Sequence, residues 1–199
     1  MATRDADAFS GRLMSGERVL WNGHPAPGLL FTSRDILLVP FSLAWCGFAV
    51  FWETTVVLMN LRLGQAASDG PGGPMLFFFP LFGGAFVCVG LFFVFGRFAV
   101  DAWLRGLTSY AVTDRRILIA RAGPLANFTA ISLDRIPDLV LRERQNGKGS
   151  IQFGQQVSMF MRRGFGSWLP SLDPTPQFLA IADVRRVFDL IQQQANRVA

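Results

Sequence analysis

Thiols and imidazoles are nearly missing from this chain: its 199 residues include 2 cysteines and 1 histidine. Cys46 and Cys88 stand inside apolar runs, with no second thiol or histidine at a metal-ligand spacing. That excludes a zinc site and a disulfide framework and leaves both as small buried residues. His24, flanked by Pro25 and Pro27, has no local set of carboxylate, thiol or hydroxyl companions such as a general base or metal ligand needs. The segment 15–28 around it reads as an irregular loop, with Val19, Leu20 and Trp21 as an apolar anchor against a membrane surface or a soluble domain. A phosphate loop is missing too, because Gly147, Gly149 and Gly154 precede no helix and lack a Gly-Lys-Ser/Thr run; they are turn glycines. Asp134, Asp138 and Glu143 form no acid/base pair and read as exposed carboxylates. Charge is scarce at 17% of residues, and residues 75–96 carry none.

What is abundant is apolar: 51% of the residues are hydrophobic, 20 of them Phe, and the mean hydropathy is +0.34. At ~1.5 Å per helical residue, 75–96 is long enough to cross a hydrocarbon core of ~30 Å. A second run at 36–52, read as a span of 36–60, lies just upstream. The connection 61–74 contains Gly70, Pro71, Gly72, Gly73 and Pro74, which stop a helix and supply a reversal. The expectation is a membrane hairpin over 36–97 with spans at 36–60 and 75–96, then a juxtamembrane helix at 98–107 with Trp103 and Arg105 in the headgroup layer. The first run begins too far from the amino terminus, and is too long, for a cleaved signal peptide.

Arginine placement orients the hairpin. Arg4, Arg12, Arg18 and Arg34 precede it, Arg62 alone lies in the connector, and Arg97, Arg105, Arg115, Arg116 and Arg121 follow. Basic residues are retained on the cytoplasmic side, so the segment 1–35 and the carboxyl-terminal domain are expected inside and the connector outside. Within the first span Ser42, Cys46, Ala49 and Glu53 share one small, slightly polar helical face. Gly84 and Cys88, with Gly83 and Gly90 nearby, offer a small face on the second span, and the two faces are expected to pack. Glu53, beside Trp52 and close to the outer interface, reads as an interface anchor rather than as a proton or ion relay.

Beyond 108 the pattern turns to short strands: 110–113 and 116–121 around an Asp114-Arg115 turn, then 128–133, 139–144 and 150–153 after Asn146-Gly147, with 157–161 a further candidate. The end reads as a helix capped near Asp173 or Thr175, with Phe178, Ile181, Val184, Phe188 and Ile191 on its apolar stripe. Hairpin strands closed by one amphipathic helix give an α+β domain over 108–199.

The stretches YAVTDRRILIARAG, Ile131-Ser-Leu-Asp-Arg-Ile136, Gly147-Lys-Gly-Ser-Ile151 and FLAIADVRRVFDLI resemble the bacterial pleckstrin-homology-like (PH-like) domains attached to membrane helices. The upstream GERVLWNGHP is similar to the segment before the first span in related proteobacterial proteins, including photosynthetic-complex assembly proteins, which usually have three spans where two are counted here. The resemblance implies a bent seven-stranded antiparallel sheet, nearly a barrel, plugged by the carboxyl-terminal helix; together with the arginine placement, the expected location is the bacterial inner membrane with both termini cytoplasmic.

Arg105, Arg115, Arg116 and Arg121 are candidate contacts for anionic lipid. Residues 108–199 carry 12 basic and 7 acidic side chains, which favours diffuse attraction to the leaflet over a headgroup pocket, since the lysine-led pattern of phosphoinositide binders is missing. Arg162, Arg163, Phe165 and Trp168 form a candidate surface for membrane or partner. Nucleic acid is a poor fit because aromatic and basic residues are not interleaved. No cofactor is implied. The expected function is noncatalytic support of protein interaction or complex assembly at the membrane surface; the alternatives are an anionic-lipid-sensing module and an unrecognised membrane-bound enzyme.

Overall fold

The computed structural model describes residues 9, 11–64, 73–136, 138–144, 147–154 and 169–198. They fall into two compact units. One is continuous, Phe31–Ala99; the other joins Met1–Leu30 to Val100–Ala199.

The continuous unit is a helical hairpin of α1 (Asp35–Gly64) and α2 (Gly73–Leu91). A π-helical turn at Phe92–Gly96 follows α2 and leads into α3 (Arg97–Gly106). Two stretches, Asp35–Arg62 and Phe78–Gly106, are long and apolar enough to cross a membrane. At the start of α1 the Thr32 N–H and hydroxyl both donate to Asp35 Oδ2, at 2.6 and 2.9 Å. Asp35 Oδ1 also meets Arg97 Nη2 at 3.0 Å, both side chains being buried, and the Arg97 guanidinium lies 4.4 Å from the centre of the Phe98 ring.

The small face of α1 is its packed face: Ser42 and Ala49 are buried, and Cys46 is half-buried. Ser42 turns its hydroxyl back onto the Leu38 carbonyl. The facing positions on α2 correct the sequence reading. Gly84 has open space where a Cβ would stand and Cys88 is exposed. The close approach is made by Gly83 and Gly90, which are buried and one heptad apart. A Cβ at Gly90 would stand 3.0 Å from the Cys46 Cα, and one at Gly83 would run into the Glu53 carboxylate, whose Oε2 is buried without a hydrogen-bond partner. A spacing of four selected Gly84 and Cys88, whereas the spacing of seven follows the seam between antiparallel helices.

The second unit contains two antiparallel sheets, ordered β1-β2-β3-β4 and β5-β6-β7. The first holds β1 (Val19–Gly23), β2 (Thr108–Thr113), β3 (Arg116–Arg121) and β4 (Asn127–Ser132). The second holds β5 (Leu139–Glu143), β6 (Gly149–Phe153) and β7 (Gln177–Ile181), and α4 (Val184–Val198) follows it. Alternation along β2 and β3 sends Tyr110, Val112 and Ile117 to one face, where they meet Ile151, Phe153, Phe178 and the Val184–Val187–Ile191 side of α4. Ala111, Leu118 and Ala120 point to the other face and are covered by Phe9.

Two sequence expectations change here. Residues 19–23 are not a loop: they form edge strand β1, which pairs with β2 from Val19↔Thr113 to Gly23↔Tyr110 with a register shift between Val19 and Trp21. Trp21 anchors them on the sheet core, 5.6 Å from the Phe178 ring. Phe178 and Ile181 belong to a strand rather than to the terminal helix, since β7 pairs with β6 through Ile151↔Phe178. Ala180 (φ 49°) and Asp183 (φ 50°) take left-handed conformations that a continuous helix cannot contain, so α4 begins at Val184. Asp173 does not cap it; its Oδ1 accepts the Thr175 N–H at 3.0 Å in a turn before β7. The 157–161 strand lies outside the described residues.

Candidate functional site

Four arginines were expected to face lipid, and three of them are turned to internal partners. Arg105 is buried on α3. Its Nε donates to Asp101 Oδ2 at 2.8 Å, and its two terminal nitrogens donate to the Ala26 and Gly28 carbonyls at 2.8 and 2.5 Å. The lipid assignment for Arg105 therefore fails, because every arm of the guanidinium already has a protein acceptor. Asp101 in turn receives the Ser171 N–H (2.9 Å) and hydroxyl (2.7 Å), which tethers the start of the 170–176 segment to α3.

Arg116 forks onto Glu17, Nε to Oε1 at 2.9 Å and Nη2 to Oε2 at 2.7 Å, and also reaches the Arg12 carbonyl. Glu17 receives the Thr113 hydroxyl (2.7 Å) and the Met14 N–H (2.7 Å) as well. Burial pushes the Glu17 carboxyl up, but the hydrogen bonds from Arg116, Met14 and Thr113 and the guanidinium charge outweigh it and hold the pKa down at about 2. Arg116 is thus a structural tie for the N-terminal segment. Arg115 alone of the four is exposed.

Arg121 is half-buried and stands in a different setting. Its Nη2 donates to the Ser171 carbonyl at 2.5 Å, while its Nε is shut away from solvent with no hydrogen-bond partner. Among the described residues no ion pair engages it. It borders a cavity of about 160 Å³ between the inner face of β2–β4 and the 170–179 segment. Strand register builds the floor. Thr108, Arg121 and Asn127 form one cross-strand row, and Tyr110, Ile119 and Thr129 form the next, two residues along and so on the same face. The buried Tyr110 oxygen accepts the Leu179 N–H at 3.1 Å, and burial pushes the phenol up to about 12. Comparison with protein-family models, curated proteins and solved structures gave no match.

His24 meets the Thr108 carbonyl at 3.0 Å through Nδ1, which must donate there, so the ring fastens the chain after β1 to the start of β2. Asp134 lies 3.6 Å from Arg135, and Glu143 lies 4.0 Å from Arg185, both on the surface. Among the described residues no three His, Cys, Asp or Glu side chains gather as a metal site. Arg162, Arg163, Phe165 and Trp168 lie outside the described residues. The residues that sequence reasoning passed over are Glu17, Asp101 and Ser171. The Asp101–Arg105 spacing of four was a signal for one pair; no local pattern tied Glu17 to Arg116 or Ser171 to Asp101.

Proposed function

We propose that this chain is a noncatalytic protein of the bacterial inner membrane, held by α1 and α2 with both termini cytoplasmic, whose PH-like sheet domain supports protein interaction or complex assembly at the membrane surface. The observation that carries this reading is the connectivity. The hairpin is inserted between β1 and β2, adjacent strands of one sheet, so the sheet domain is joined to the apolar helices at two points of the chain. A hairpin that leaves from and returns to one sheet anchors a folded domain, which is what a docking platform at a surface requires. The PH-like reading is supported by the count of seven antiparallel strands before an amphipathic helix, although β1 comes from ahead of the hairpin and the strands form two sheets. The anionic-lipid reading is weaker, because Arg105 and Arg116 are committed to Asp101 and Glu17.

Cysteine labelling tests the anchoring. Ser68→Cys is expected to react from outside intact cells and Ser167→Cys only after permeabilisation; the reverse order overturns the topology. For the interaction role, Arg162→Glu with Arg163→Glu, and separately Trp168→Ala, should leave the melting temperature unchanged and reduce what co-purifies with the full chain in mild detergent. Unfolding of the Trp168 variant would make that residue core and withdraw the surface.

A further inference from the structure

We infer that the cavity bordered by Arg121 is a binding site for a small oxyanion, a phosphate or carboxylate group. The inner face of the first sheet is apolar where Val112 and Ile117 line it, and apolar rows would have closed the remaining gap by packing. Instead register delivers two rows bearing a guanidinium, a phenol, two threonines and an asparagine to the cavity floor. The volume is about ten times what one ordered water needs.

Arg121 brings a positive charge that the described ion pairs leave uncompensated. Its Nε–H is a buried donor without an acceptor, a state that costs more for a charged group than for a neutral one. An oxyanion accepting from Nε would remove that cost through a charge-assisted bond. The neighbouring groups suit the same occupant. Tyr110 uses its oxygen to accept from Leu179, which leaves its own proton to give, and its raised pKa keeps that proton in place at neutral pH. Thr129 lies in the same row as Tyr110, and Arg105 on the wall is balanced by Asp101. Asp173 is the one carboxylate of the lining and the one group there that opposes an anion; its Oδ1 is turned to the Thr175 N–H.

Tyr110 is the only tyrosine of the chain, so the full-length protein labelled with ¹³C at tyrosine Cζ reports on the cavity through one resonance. In a neutral maltoside detergent at constant ionic strength, titration with inorganic phosphate, acetate or dioctanoyl phosphatidic acid is expected to shift that resonance saturably. Saturation by the short-chain lipid alone assigns the group to a lipid headgroup; saturation by phosphate or acetate assigns it to a soluble anion. Arg121→Gln should weaken the effective anion by ~10-fold or more, while Arg135→Gln, at an arginine exposed outside the cavity, should leave the affinity unchanged. The site is overturned if none of the three probes shifts the resonance more than chloride does, or if Arg121→Gln binds as tightly as the wild type. Should the glutamine variant fail to fold, the comparison with chloride in the wild type decides alone. None of these outcomes depends on whether the helices lie in a membrane.

Discussion

At the scale of single residues, the titration of Glu17 bears on stability. Its carboxyl titrates near 2 in the folded chain against an ordinary value of 4.5, so its contribution is fully present above about pH 4.5 and is lost as pH falls through about 2. The shift corresponds to about 3 kcal/mol. Glu17→Gln should therefore lower the unfolding free energy obtained from urea titration by that order at pH 7, with the gap to wild type closing as pH drops from 4.5 towards 2. A gap that does not change with pH would mean that the pair is not the source of the stability. Ala180 permits a second test at this scale. It is buried with φ 49°, and Ala180→Gly should stabilise by ~1 kcal/mol by relieving left-handed strain, visible as a raised melting temperature. Neither residue was legible beforehand. Glu17 lies 99 residues from Arg116, and the φ of Ala180 is set by the junction between β7 and α4.

Among the elements, α1 was readable because apolar length and a small-residue face are both local patterns. Its partner face was misread by one helical position. The consequence is measurable: Gly90→Val should loosen the hairpin by about 1–3 kcal/mol through overlap with the Cys46 backbone, whereas Gly84→Val and Cys88→Ala should leave thermal stability in detergent unchanged. Equal effects at Gly84 and Gly90 would restore the original face. The strands β2 to β6 were legible from alternation and from the Asp114-Arg115 and Asn146-Gly147 turns. β7 was not, because Phe178, Ile181 and Val184 recur at steps of three that suit a helical stripe, and only pairing with β6, Phe178 to Ile151 and Ile181 to Gly149, marks the first two as strand.

At the scale of the whole molecule, the sheet domain is discontinuous in sequence. Its unit joins Met1–Leu30 to Val100–Ala199, so residues 108–199 by themselves lack β1 and leave the outer edge of β2 unpaired, a setting that favours aggregation. Circular dichroism and melting should show 108–199 alone unfolded or associated. A chain in which a flexible glycine-serine linker replaces 31–99 should melt cooperatively; cooperative melting of 108–199 would make β1 dispensable. The sequence by itself determined the two long apolar helices, the α+β class and most of the strand hairpins, since each follows from composition and spacing within a window of a few turns or strands. Only the tertiary structure decided that β1 joins the sheet across the hairpin, that Arg105 and Arg116 face inward, and that Arg121 borders a cavity with a donor to spare. Those outcomes depend on partners 50 to 99 residues away, and hydrogen-bond geometry and burial select such partners without leaving a local periodicity to read.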